Sequence, residues 1–294
     1  MNLKNSIKHY IGKKSVAGVL FLFPAYLIVL GLMVFPIIYL FYLSFHEWVG
    51  YPVWAGLSNF RALFQDQVFL KSLFNTFFFT VVNLTVGFSL SFAFALMMNR
   101  AKWGIKFFRA IVFSPVVMSS VVVAVIWMWI FDAEFGFLNL VLTKLPFVGE
   151  PIRWLGSPWM ARLSISGVNV WLGTGLSAVI LLAGLQGIPR SLYDAAKVDG
   201  ANPLQQFFYV TLPQMRDIIV IVLILKTIGS FKTFGQVYVM TYGGPLNSTS
   251  TVVFSLYRTA FTFFDFGYAA AMAVVLFLIV MVLAVIQLRF RRAS

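Results

Sequence analysis

Residues 192–213 read LYDAAKVDGANPLQQFFYVTLP. They separate a pair of long apolar runs, yet they hold most of the charge of their region, with an Asp199-Gly200 turn at their middle. Pro189, just upstream, suits the first turn of a helix, where a missing N–H is no loss. Leu192, Ala195 and Ala196 then fall at i, i+3 and i+4 on one helical face. Gly200 after Asp199 has the form of a left-handed helix terminator. Asn202-Pro203 reads as an N-cap followed by proline at the first helical position. Leu204, Phe207, Phe208 and Leu212 make a second apolar stripe, and Pro213 discourages continuation. The expectation is a helix, a glycine hinge and a second amphipathic helix. A hook lying on lipid headgroups would carry several Lys or Arg on its polar face. Residues 198–212 contain none, which points to a protein partner.

Composition sets the class around this hook. Of 294 residues, 61% are hydrophobic and only 11% charged, more apolar surface than a water-soluble core can bury. A polytopic membrane protein is the expectation. The net charge of +13 is not gathered on a polar domain but punctuates apolar segments, which argues for topology and against nucleic acid. With no cysteine, disulfides, thiolate metal sites and cysteine nucleophiles are excluded. The first apolar run is too long for a signal-peptide core and has no small-residue cleavage site after it, so it reads as a retained anchor.

Apolar runs of sufficient length predict six spanning helices, near 17–43, 75–98, 107–131, 163–185, 217–240 and 266–288. Pro24 and Pro36 in the first and Pro115 in the third are tolerable where neighbouring helices satisfy the freed backbone groups. Lys4, Lys8, Lys13, Lys14, Arg100, Lys102, Lys106, Arg109, Arg190, Lys197, Arg216, Arg289, Arg291 and Arg292 fall on one face of this layout. Only Arg61, Lys71, Lys144, Arg153, Arg162 and Arg258 fall on the other, and Lys226 and Lys232 lie inside the fifth helix. By the positive-inside rule, the richer face, with both termini and the hook, is cytoplasmic. The outer loops, about 44–74 and 132–162, carry Trp48, Trp54, Trp154 and Trp159. These suit an interfacial belt more than a ligand platform.

The residues also carry a resemblance. DAAKVDGANPLQQFFYVTLP (194–213) resembles the "EAA" loop signature of the membrane subunits of binding-protein-dependent ABC importers. Asp194 stands where Glu is usual; Ala195, Ala196, Asp199, Gly200, Ala201, Phe207 or Phe208, Leu212 and Pro213 match, with Pro203 between them. SFKTFGQVYVMTYGGPLNSTST (230–251), GLSNFRALFQD (56–66) and FDFGYAAAMAVVLFLI (264–279) are similar to the maltose and glycerol-phosphate type of sugar permease, so the likeness covers essentially the whole chain.

The resemblance implies an all-α membrane subunit of the cell (inner) membrane with six spans. A permease core over 70–288 would hold a coupling loop at 188–216, preceded by 1–69 and followed by a basic tail, 289–294. It implies a second homologous permease subunit, two ATPase subunits that hold the ATP and Mg, and an extracytoplasmic solute-binding protein, with no cofactor on this chain. The hook would dock on the ATPase. Substrate contacts would come from the helices on either side of it, at Asn169, Leu172, Gly173 and Leu176 and at Lys226, Gly229 and Ser230. The aromatic contacts expected at Leu176 and Gly229 are missing, which leaves room for a different ligand or a site largely on the partner permease. The implied cargo is a di- or oligosaccharide, with glycerol phosphate or another polyol-like or acidic solute as the alternative.

Other classes fit less well. Nothing reads G-x-x-x-x-G-K-[ST], so the chain does not itself cradle ATP. His9 and His46 lack a second ligand at metal spacing, and Asn247-Ser248-Thr249 reads as a polar loop. A stand-alone secondary transporter fits the hydropathy but leaves the hook unexplained, and no internal repeat is seen. Asn169 and Ser230 suit interhelical hydrogen bonds as well as substrate contact, and Gly173 and Gly175 suit close helix packing. Lys226 is expected near mid-membrane, facing either the pathway or an acid on the partner permease. Lys232, nearer the outer interface, can snorkel.

Overall fold

The computed structural model describes residues 18–19, 21–100, 104–144 and 150–292. Lys4, Lys8, His9, Lys13, Lys14 and Lys102 lie outside them. In chain order, α1 (Phe21–Ser44) leads into a small antiparallel sheet of β1 (His46–Trp48) and β2 (Pro52–Trp54), with His46 opposite Trp54. Then come α2 (Ser58–Gln65), α3 (Gln67–Asn99), α4 (Ile105–Val117), α5 (Ser120–Ile130), α6 (Phe137–Leu142) and α7 (Pro158–Gln186). The chain closes with α8 (Arg190–Val198), α9 (203–231), α10 (Gly235–Met240), α11 (Val252–Phe261) and α12 (Phe266–Arg292).

The expected spans correspond to α1, α3, α7, the segment Pro203–Met240 and α12, all long and apolar enough to cross a membrane. The third does not run straight: α4 and α5 meet at a bend of 106°. The cause is local. Pro115 has no N–H for the carbonyl of Ile111, and Ser114 Oγ donates to that carbonyl instead, at 2.9 Å. The helix tightens into a 3-10 turn over Ser114–Val117, and Met118 and Ser119 are extended. The fifth expected span, 217–240, is likewise two pieces: α9 ends at Phe231 and α10 begins at Gly235.

The second hook helix is also corrected. It does not stop at Pro213 but runs on, through a π turn at Phe207–Thr211, into Leu212–Phe231. The wider turn makes room for a proline that would clash in a regular helix. It also resets the phase, so the expected single stripe splits. Phe207 packs on Phe92 and Leu212 on the core, while Leu204 and Phe208 are exposed. At the other end, α12 continues past 288 to Arg292 with no break before the expected tail.

Two apolar cores lie one behind the other along the bundle. Phe92, Ala95 and Met98 of α3, Ala178, Leu181 and Leu185 of α7, and Met215 and Val222 of α9 form the core nearer the hook. Phe79 of α3, Ile165 and Val168 of α7, Val123 and Ala124 of α5, and Val237 and Met240 of α10 form the other. Between them, the same three long helices carry Asn83, Asn169 and Lys226. A third core joins Leu63 of α2 and Phe69 of α3 to Val252 of α11 and Ala271 and Met272 of α12. Glycines set the spacing. A side chain at Gly175 of α7 would collide with Val112 O of α4, and one at Gly184 would meet Ile218 and Met215 of α9 at 3.0 Å. Close packing, expected of Gly175, is what that residue provides. Helix α1 packs against α12 and buries none of its apolar window.

The connections at the end away from the hook are more ordered than loops. Segment 241–251 is tucked inward, with Ser248, Thr249, Ser250 and Thr251 buried. Asn75 Nδ2 donates to the carbonyls of Asn247 and Ser250, both at 2.9 Å, and Arg162 Nε donates to Ser248 O at 2.8 Å. Trp154 is not a free interfacial ring, because its Nε1 donates to Asn139 Oδ1 at 3.1 Å; Trp54 and Trp159 are exposed. His46 is buried, its Nδ1 2.7 Å from Tyr42 O. Among the described residues no cluster of His, Asp or Glu could hold a metal ion.

Candidate functional site

The level between the two cores is where polar chemistry gathers. A cavity of about 390 Å³ opens there, walled by α7 and α9 and by the bend between α4 and α5, with Pro115, Val116, Met118 and Ser120 on that side. Non-helical backbone at membrane depth is found where it lines a cavity, and this break does so. Asn169, Leu172, Gly173 and Leu176 of α7 and Lys226, Gly229 and Ser230 of α9 all line it, so the seven residues singled out in the sequence are brought together.

The floor of the cavity is a network between helices. Asn83 Nδ2 donates to Ser230 Oγ at 2.8 Å, and Ser230 Oγ donates to Lys226 O at 2.8 Å. Lys226 Nζ donates to Asn83 Oδ1 at 3.3 Å and to Gly173 O at 3.4 Å. Lys226 is only 4% exposed. An unpaired lysine at the centre of a bilayer costs about 2.5–3.5 kcal/mol on insertion scales, so residues of this kind face cavities or partners. Asn169 behaves differently from Ser230. Its Nδ2 is shielded and has no hydrogen-bond partner among the described residues, whereas Ser230 makes the interhelical bond.

Asn83 escaped the sequence reading. The signal was an amide within an apolar run, but one helix alone does not say which neighbour it meets. The structure supplies the reason through a π turn at Asn83–Gly87, a feature often found at functional sites. Gly87 closes that turn, and a side chain there would collide with Asn83 Oδ1 and stand 3.3 Å from Lys226 Nζ. Gly173, expected to mark close packing, lies instead against the same pair, its absent Cβ 3.7 Å from Asn83 Oδ1 and 3.9 Å from Lys226 Nζ. Lys232, expected to snorkel, is exposed but also lines the cavity. A larger groove of about 590 Å³ between α3, α4 and α7 is almost wholly apolar. Its Ser166 and Thr174 hydroxyls are engaged by the carbonyls of Arg162 and Val170, so it offers no convergent polar groups.

The hook closes as its sequence indicates. Helix α8 buries no residue and ends in a Schellman motif. Gly200 N donates to Lys197 O at 3.0 Å and Ala201 N to Ala196 O at 2.9 Å, with Gly200 at φ +77°. Pro189 is the N-cap of α8 rather than its first residue. Asn202 and Gln205 form a reciprocal capping box, each side chain accepting the other's backbone N–H, with Pro203 at the start of α9. Asp194 pairs with Lys197 at 3.2 Å on the exposed surface, where such a pair contributes little stability. Tyr193 ties the hook to α9 through a 2.9 Å hydrogen bond with Thr211. Asp194, Ala195, Asp199, Pro203 and Phe208 are exposed, Ala196, Ala201, Phe207 and Leu212 half-buried. Because α9 is continuous from Pro203, the hook and Lys226 are joined by one rod of about 35 Å at 1.5 Å per residue.

The family model for the binding-protein-dependent transport system inner membrane component matches residues 85–293. The sulfoquinovosyl glycerol transport system permease protein SmoG of Agrobacterium fabrum is 35% identical over 94% of this chain and 91% of its own. The lactose transport system permease protein LacF of Rhizobium radiobacter is 34% identical over 97% and 96%. A chain of a bacterial ABC transporter involved in the import of the acidic polysaccharide alginate superposes with a TM-score of 0.85 at 22% identity, covering 98% of this chain and 99% of that one. At that identity the last likeness speaks for the fold.

Proposed function

The chain belongs to the family of binding-protein-dependent transport system inner membrane components, and on that premise we propose that it is the permease subunit through which an ABC importer moves a carbohydrate across the inner membrane. The observation that carries this reading is the polar cavity held at mid-bundle between two apolar cores. A saccharide presents many hydroxyls, and Asn83, Asn169, Ser230 and Lys226 offer the matching donors and acceptors where hydrocarbon would offer none. The sugar permeases among its relatives support the class of cargo.

In this reading the permease core spans 70–288, with 1–69 ahead of it and a basic end from 289. Both termini and the hook face the cytoplasm. The face of α8 around the exposed Asp194 and Ala195 and the half-buried Ala196, shaped by Asp199, Gly200 and Ala201, docks on an ATPase subunit. Pro203, Phe207, Phe208, Leu212 and Pro213 carry its movement into α9. ATP and Mg stay with the ATPase pair, a second homologous permease completes the pathway, and a solute-binding protein delivers the cargo. The rigid connection from the hook to Lys226 supports such a lever. Reconstituting the chain with its partner permease, ATPase and binding protein tests the proposal: ATP-dependent uptake of a labelled di- or oligosaccharide is the expected result. Uptake without ATP, or none for any saccharide that the binding protein holds, would overturn it.

A further inference from the structure

The charge of the cavity narrows the class of sugar. Lys226 and Lys232 both line it, and among the described residues no Asp or Glu does. Lys226 is buried and turned into the space between α3, α7 and α9, where it donates to the amide oxygen of Asn83 and the carbonyl of Gly173, at 3.3 and 3.4 Å. Both partners are neutral dipoles at the long end of the hydrogen-bond range, and neither supplies a counter-charge. The chain nevertheless shapes this corner for the ammonium group. The π turn of α3 aims Asn83 at it, and Gly87 and Gly173 leave the room it occupies. Buried charges are ordinarily paired, and among the described residues no carboxylate pairs with this one.

We infer that the cargo is an acidic saccharide, whose carboxylate, sulfonate or phosphate group pairs with Lys226 while its hydroxyls engage Asn83, Asn169 and Ser230. This rests on the carbohydrate reading above and adds the charge of the ligand. Lys232, at the exposed part of the same wall, contributes the second positive charge and favours entry of an anion. A neutral sugar occupying the same space would offer Lys226 only dipolar contacts. The cavity discriminates against it by leaving that charge unpaired.

The test uses the full chain assembled with its partner permease and ATPase subunits in lipid nanodiscs. Binding to the assembled complex is measured by equilibrium dialysis without the binding protein, so that the permease alone selects. The probes are one neutral disaccharide and its forms carrying carboxylate, sulfonate or phosphate at C6. At least one acidic form should bind at least tenfold more tightly than the neutral parent. Lys226→Gln should bring the two within about twofold, and Lys226→Arg should keep most of the preference. If the neutral parent binds as tightly as every acidic form, the acidic class falls while the carbohydrate reading stands. If none of the four binds, the inference falls, and the carbohydrate reading is decided by the uptake assay above. Failure of Lys226→Gln to assemble with the second permease would place the missing counter-charge on that subunit and overturn the inference.

Discussion

Gly87 shows how much of the site hangs on one absent side chain. The π turn of α3 brings its backbone against Asn83 Oδ1, so Gly87→Ala would force the Asn83 amide away from both Ser230 and Lys226. Each hydrogen bond lost is worth about 0.5–1.5 kcal/mol, and uptake should fall by roughly two- to tenfold per bond at unchanged levels of assembled complex. Transport assays paired with blue-native gels check this, and wild-type uptake by Gly87→Ala would remove Asn83 from the site. Gly200 fails differently. A Cβ there meets nothing within 4 Å, but the backbone is held at φ +77°. Gly200→Val therefore carries only the left-handed penalty, about 1–2 kcal/mol, and distorts the hook without touching the spans. Stimulated ATP hydrolysis should drop while cargo affinity is unchanged. Asp194→Lys should produce the same phenotype by charge; a change confined to cargo affinity in either variant would contradict the coupling role.

Among the elements, the hook and α9 act together only if they are fastened. Tyr193 and Thr211 supply the tie at 2.9 Å, and Phe207 anchors the π turn on Phe92. Tyr193→Phe removes one hydrogen bond, about 0.5–1.5 kcal/mol, and leaves the ring in place. The expected outcome is looser coupling: more ATP hydrolysed per sugar imported, with the KM for cargo unaltered. Equal stoichiometry in wild type and variant would show that α8 transmits nothing through this contact. The Gly200 turn and the Asn202 cap of the hook were readable because their determinants are local: a glycine at C′, an asparagine at the cap, a proline at N1. The continuation through Pro213 was not readable, since the π turn that accommodates it also packs Phe207 on Phe92 of another helix. The same holds for the bend at Pro115. A proline announces a broken ladder, but the 106° turn depends on Ser114 taking the orphan carbonyl and on Gly175 letting α7 approach Val112.

For the whole molecule, the distribution of Lys and Arg predicts an orientation that labelling can test. Cysteines placed at Ser58 and Glu150, both exposed and at the end away from the hook, should react with an impermeant thiol reagent in intact cells. A cysteine at Ser191, exposed on α8, should react only after permeabilisation. The opposite pattern would turn the protein over and take the docking surface with it. Hydropathy and charge are sums over a segment. One chain read end to end was therefore enough to find the long helices, though α9 starts at Pro203 rather than 217 and the third span is broken, to find the hook, and to nominate seven residues that do line one cavity. Asn83, the inward-tucked polar segment 241–251 and the stacking of two cores around a polar layer required the fold. These depend on which helices meet and at what height, and that is decided by close approaches such as Gly175 on α4 and Gly184 on α9, pairings that no local pattern encodes.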